Sequence, residues 1–110
     1  MLKLVKHKEY KLNHSDIKKG VMDYLRYGGW YVFYVQQGAL AFKGISDIIA
    51  CKNGCSIYVE IKTERDVLNK HQIKFRDNIL KAGCLYVVAR SINDIDRFVT
   101  ENFGENNLLL

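Results

Sequence analysis

Asp47, Glu60 and Lys62 lie on either side of an Asn53-Gly54 dipeptide, and Gln72 follows further along the chain. Asn-Gly between the apolar runs Ser46–Lys52 (SDIIACK) and Cys55–Lys62 (CSIYVEIK) predicts a β-hairpin closed by a type I′ turn. A two-residue turn sets the register: Lys52 opposes Cys55, and counting back puts Asp47 opposite Glu60. Side chains alternate along a strand. Ile57, Val59 and Ile61, with Ile48 and Ala50 opposite them, therefore form a core face, while Asp47, Glu60 and Lys62 share the other face with Ile49 and Tyr58.

Carboxylates placed directly across a ladder have Cβ atoms about 4.5–5.5 Å apart and repel one another. A divalent cation between them removes the conflict, and hard oxygen ligands select magnesium, manganese or calcium over zinc. Lys62 lies about 7 Å beyond Glu60 on the same face. It can neutralise the pair, or hold a water or phosphate oxygen beside the metal. The plainer alternative is a solvated hairpin face carrying a few charges. Ile49 and Tyr58 on the same face argue that the face is covered.

The rest of the chain must supply the elements that position these groups. Residues 1–13 are basic and without apolar period (Lys3, Lys6, Lys8 and Lys11), and read as an arm or an edge strand. Residues 15–27 read as a helix with Ser15 as N-cap, because Ile17, Val21, Tyr24 and Leu25 fall on one face. Residues 30–36 (WYVFYVQ) suit a strand, and 37–44 a mobile glycine-bounded loop. A second helix spans 68–82. On its helical wheel Gln72 and Arg76 sit inside the apolar stripe of Ile73, Phe75, Ile79 and Leu80, so each needs a polar partner there. Residues 84–89 (CLYVVA) suit a buried strand, and 93–103 a third helix with Asn93 as N-cap and Gly104 as stop. Residues 105–110 form a tail ending in Leu108–Leu110. The order α-β-β-β-α-β-α gives an α/β class with a mixed sheet.

Composition bounds the function. A chain of 110 residues, 48% hydrophobic and 26% charged, makes one folded domain over 1–110 rather than a disordered segment. No apolar run is long enough to span a membrane, and no signal peptide opens the chain. The net charge of +5 favours a polyanionic partner. The odd set Cys51, Cys55 and Cys84 forms no closed disulfide framework and matches no standard zinc spacing, so three reduced thiols and a cytoplasmic location are expected.

These residues resemble the PD-(D/E)XK nuclease superfamily, and within it the VRR-NUC (virus-type replication-repair nuclease) branch. The resemblance covers roughly residues 13–92. It is carried by Gly44-Ile45-Ser46-Asp47, then Glu60-Ile61-Lys62, then Gln72 and Phe75, then Ala82-Gly83-Cys84-Leu85-Tyr86-Val87-Val88. It implies a restriction-endonuclease-like core and a Mg²⁺- or Mn²⁺-dependent endodeoxyribonuclease that leaves 5′-phosphate ends. Asp47, Glu60 and the backbone carbonyl of Ile61 would bind the metal, Lys62 would orient and activate the attacking water, and Gln72 would support Lys62 or the water. The family often adds a glutamate near the start of the first helix; His14 stands there in this chain, with Asp16 two residues on, and either could serve or neither. Where the following strand often carries an arginine, this chain has Tyr34.

Stand-alone proteins of this type, often from bacteriophages, imply a Holliday-junction resolvase acting as a homodimer on branched, four-way DNA. A flap, nicking or restriction-like nuclease is the alternative within the enzyme class; a catalytically inactive nucleic-acid-binding module of the same fold is the alternative outside it. Lys18, Lys19, Lys43, Lys70, Lys74 and Arg76 are the candidate DNA contacts, through phosphates rather than bases.

Overall fold

The computed structural model describes residues 12–104. The expected arm at 1–13 lies almost wholly outside that range, as does the tail at 105–110. The elements run α1 (His14–Tyr27), β1 (Tyr31–Tyr34), β2 (Ile48–Lys52), β3 (Cys55–Ile61), α2 (Lys70–Lys81), β4 (Leu85–Ala89) and α3 (Ile92–Phe103). The strands form one mixed sheet in the order β1-β2-β3-β4. β1 and β3 run antiparallel to β2, and β4 runs parallel to β3, joined to it through α2.

The hairpin forms as its turn chemistry demands. Asn53 (φ 50°) and Gly54 (φ 82°) both take the left-handed conformation that a type I′ turn requires. The ladder then pairs Lys52 with Cys55 and runs to Ile48 opposite Val59. Ile48, Ala50, Ile57, Val59 and Ile61 are fully buried or nearly so. They meet Ile17, Val21 and Leu25 of α1 and Ile95 and Val99 of α3, so these two helices cover one face of the sheet.

The opposite face is covered less completely. Phe75 of α2 packs edge-on against Tyr58 and Tyr86 at centroid distances of 5.8 and 6.3 Å. It is the one buried residue of α2; Ile73 and Leu80 stay exposed. The expected apolar stripe on α2 is thus broader than the surface it buries. The wheel tells which residues align, but a single short helix over β3 and β4 presents only a narrow line to the sheet.

Helix starts differ from expectation in two places. Asn13, not Ser15, caps α1, with its side-chain oxygen accepting the Asp16 amide at 2.8 Å. Ser91, not Asn93, caps α3, accepting the Asp94 amide at 3.2 Å. In both cases the residue three positions before a free amide has the reach, and the expected cap is already inside the helix. β1 is also shorter than the run 30–36. Trp30 precedes it and packs against Phe103 at 5.3 Å between ring centroids.

The segment 37–44 folds into two successive turns, Ala41 to Gly38 and Ile45 to Phe42. Gly44 (φ 81°) lies against the first turn of α2, where an added Cβ would run into the His71 carbonyl. This contact sets the approach of the chain to Asp47.

Candidate active site

Asp47 stands one residue before β2 and is not a rung of the regular ladder. Its amide donates to the Val59 carbonyl at 3.0 Å, and its own carbonyl accepts the Val35 amide at 2.8 Å. The expected straight pairing of Asp47 with Glu60 therefore gives way to a distorted end of the hairpin. Asp47 Oδ2 instead accepts the amide of Ile61 at 2.8 Å, which turns the carboxylate onto the strand bearing Glu60. Both acids are buried, and so is Lys62.

Around this pair the other groups converge. Lys62 Nζ lies 3.9 Å from Glu60 Oε2 and 3.5 Å from Asp66 Oδ2. Gln72 Nε2 donates to Glu60 Oε2 at 3.0 Å, which gives this polar residue its partner. The same side chain closes a capping box: its Oε1 accepts the Asn69 amide at 3.0 Å, while Asn69 Oδ1 accepts the Gln72 amide at 2.9 Å. One residue thus starts α2 and holds Glu60. Arg76, expected to need a partner in the same stripe, pairs with its neighbour Asp77 at 3.0 Å.

His14 Nε2 is 3.6 Å from Asp47 Oδ2, whereas the Asp16 side chain has no ion pair or hydrogen bond to the acids. Ile61 ends β3 between Glu60 and Lys62 and pairs with Ala89. The Lys62 amide continues this pairing, donating to the Ala89 carbonyl at 3.1 Å.

Burial and the neighbouring Asp47 charge push the Glu60 carboxyl up to about 8, against a smaller opposing pull from Lys62. Without a cation, burial and the Asp47 charge favour the protonated form of Glu60. Its Oε1 is buried with no hydrogen-bond partner, and so is the Tyr86 hydroxyl. Burial, with the Glu60 charge, also raises the Tyr86 phenol pKa. An orphaned buried oxygen beside a second carboxylate is a donor set that fits a hard divalent cation. Asp47 and Glu60 would hold it, with His14 at the rim. Among the described residues no three His, Cys, Asp or Glu side chains cluster as a ready-made ligand set. The remaining positions would fall to backbone oxygen or water.

Asp66 and Arg90 carry no signal in the sequence, and Tyr86 enters there only as part of the apolar run before Val87. Arg90 Nη1 donates to the carbonyls of Thr63 (2.7 Å) and Asp66 (2.6 Å), which anchors the loop that brings Asp66 to Lys62. Tyr86 reaches the site face because Tyr58 pairs with Tyr86 in the parallel ladder, two positions before Glu60 pairs with Val88.

The candidate DNA contacts are dispersed. Lys43, Lys70 and Lys74 are exposed on the loop and on α2, Lys18 and Lys19 lie on α1, and Arg76 is half-buried. The three cysteines are free thiols. Among the described residues no helix is long and apolar enough to cross a membrane.

Solved structures share this architecture. A chain described as a VRR_NUC domain superposes with a TM-score of 0.69 at 20% identity, covering 82% of this chain and 96% of its own length. The fold is that of a VRR_NUC domain. A second chain, described as a VRR_NUC domain protein, gives 0.63 at 17% identity, covering 83% of this chain and 88% of its own. No protein-family model and no curated protein matches the chain. On the VRR_NUC fold observed here, the hairpin end, the start of α2 and the Lys62–Asp66 loop meet at one buried acidic pair.

Proposed function

We propose that this chain is a metal-dependent DNA endonuclease that hydrolyses phosphodiester bonds in branched DNA. The observation that carries the reading is the buried Asp47–Glu60 pair, with one Glu60 oxygen left without a partner and an ammonium 3.9 Å from the other. Two like charges are not held in a protein interior unless a counter-charge or a proton compensates them.

Asp47 and Glu60 would hold Mg²⁺ or Mn²⁺, with the Ile61 carbonyl as a backbone ligand and His14 as a further one. The bound ion would lower the pKa of its water and offset charge developing on the phosphate. Lys62 would hold the attacking water and, moving from Asp66, take up a phosphate oxygen. Gln72 would keep Glu60 turned towards the metal. The net charge of +5 suits a polyanionic substrate, and phosphate contacts alone would make the enzyme selective for shape rather than sequence. The resolvase form implied by the resemblance is a homodimer on a four-way junction.

The test is cleavage of labelled four-way junction, flap and linear duplex in Mg²⁺, Mn²⁺ and EDTA. Metal-dependent cutting of branched substrates, lost in Asp47→Ala and Lys62→Met while binding persists, supports the reading. The lack of a three-residue ligand cluster among the described residues favours one rival, a binding module without catalysis. Binding of branched DNA with no cutting in any metal would decide for that rival.

A further inference from the structure

An open cleft of about 350 Å³ runs along α1 beside β1. Lys18, Lys19, Met22, Asp23 and Arg26 line it from one stripe of the helix, and Tyr34 lines it from the strand. Three cations face one carboxylate. Each wall of the cleft adjoins in sequence a residue that contacts Asp47. His14, 3.6 Å from Asp47, immediately precedes the cleft residue Ser15, and Tyr34 precedes Val35, whose amide donates to the Asp47 carbonyl. From Ser15 to Arg26 the helix extends about 16 Å, enough for a few nucleotides.

The contents of the cleft are exchangeable. Tyr34 is 56% exposed, and the Lys18 ammonium lies 4.5 Å above its ring. An ammonium on an exposed aromatic face is weakly held. Lys19 pairs with Asp23 across one helical turn at 2.8 Å, with both side chains largely exposed. Such a pair is weak in water and yields to a phosphate. Arg26 donates to the Val32 carbonyl at 3.2 Å and so is held at the strand edge. An aromatic face amid cations, leading away from an acidic centre, has the chemistry of a single-strand binding groove.

We infer that this cleft binds a single-stranded segment of DNA leading away from the strand held at Asp47 and Glu60. One base stacks on Tyr34 in place of the Lys18 ammonium, and phosphates meet Lys18, Lys19 and Arg26. This deepens the nuclease reading and rests on it. The preferred substrate is then a branch that presents unpaired nucleotides beside the cut, rather than a fully paired duplex.

The test is equilibrium binding in EDTA, with 2-aminopurine in the single-stranded tail of a DNA hairpin and a blunt hairpin as control. The tailed hairpin is expected to bind about ten-fold more tightly, with quenching of the 2-aminopurine as it stacks. Tyr34→Leu should abolish both the quench and the preference, whereas Tyr34→Phe should keep them. Joint Lys18→Gln and Lys19→Gln should reduce the salt slope by about 1.4, since each single-strand phosphate contact contributes about 0.7. Equal binding of tailed and blunt hairpins, or a quench that survives Tyr34→Leu, would overturn the inference. So would a protein dimer that Tyr34→Leu dissociates and the tail fails to compete, which would assign the cleft to a second copy. No cutting is needed for this readout. Failure here leaves hydrolysis standing, and tail binding without hydrolysis in any metal would remove the nuclease reading while keeping the cleft.

Discussion

The Asp47 carboxylate accepts the Ile61 amide at 2.8 Å, so the first acid of the pair is fastened to the strand that carries the second. The bond also satisfies an amide at the buried end of the hairpin, where the regular ladder has stopped. Structural and electrostatic roles of Asp47 can therefore be separated. Asp47→Asn keeps an acceptor for Ile61 and should unfold within about 1 kcal/mol of the parent. Asp47→Ala leaves that amide unsatisfied and should lose about 1–3 kcal/mol. Urea denaturation distinguishes the two, and both variants should abolish cutting.

Glu60 should make metal-free stability depend on pH. Its carboxyl is raised from 4.5 to about 8, so the folded protein binds that proton more tightly than the unfolded chain does. The resulting contribution is complete below the unfolded value and is lost as pH rises through about 8. Melting temperature in EDTA should therefore fall as pH rises from 4.5 to about 8 and level off above it, and Glu60→Gln should flatten that slope. A cation displaces the same proton, so the gain in melting temperature from millimolar Mn²⁺ should grow over the same interval.

Gln72 serves two ends with one side chain, and its variants should divide accordingly. Gln72→Glu retains an acceptor for the Asn69 amide but loses the donor to Glu60 and adds a like charge. It should fold with α2 intact, yet raise the Glu60 pKa further and weaken Mn²⁺-induced stabilisation at neutral pH. Gln72→Leu also loses the acceptor for the Asn69 amide, one half of the capping box, while the Asn69 side chain still caps the helix. It should cost up to about 1 kcal/mol more. Circular dichroism melts with and without Mn²⁺ check both.

Gly44→Ala meets two obstacles at once, a positive φ and the His71 carbonyl. The conformational term alone is about 1–2 kcal/mol. A fall in melting temperature of 8 °C or more is expected, at about 4–8 °C per kcal/mol for a chain of this size. Gly54→Ala, in open space with the same sign of φ, should lose less.

The hairpin was legible in the sequence because its information is local. Asn53-Gly54 sets the turn, the turn sets the register, and alternation sorts Ile57, Val59 and Ile61 from Tyr58 and Glu60. The α2 stripe was legible only in part, since periodicity aligns Ile73 and Leu80 with Phe75 but does not say how much sheet lies beneath them. Neighbouring polar residues left the caps ambiguous. Asn13 and Ser15 are both good cap types, and the choice depends on which one reaches a free amide.

By itself the sequence determined the element order, the hairpin register and the residue types that could hold a cation, all of which follow from contacts between near neighbours. Tertiary structure decided how Asp47 leaves the ladder and binds Ile61, which of His14 and Asp16 lies near it, and that Asp66, Tyr86 and Arg90 join the site. These depend on where a parallel strand and two loops come to rest. Residues 24 or more apart, such as Arg90 and Asp66, meet through packing that no local pattern encodes.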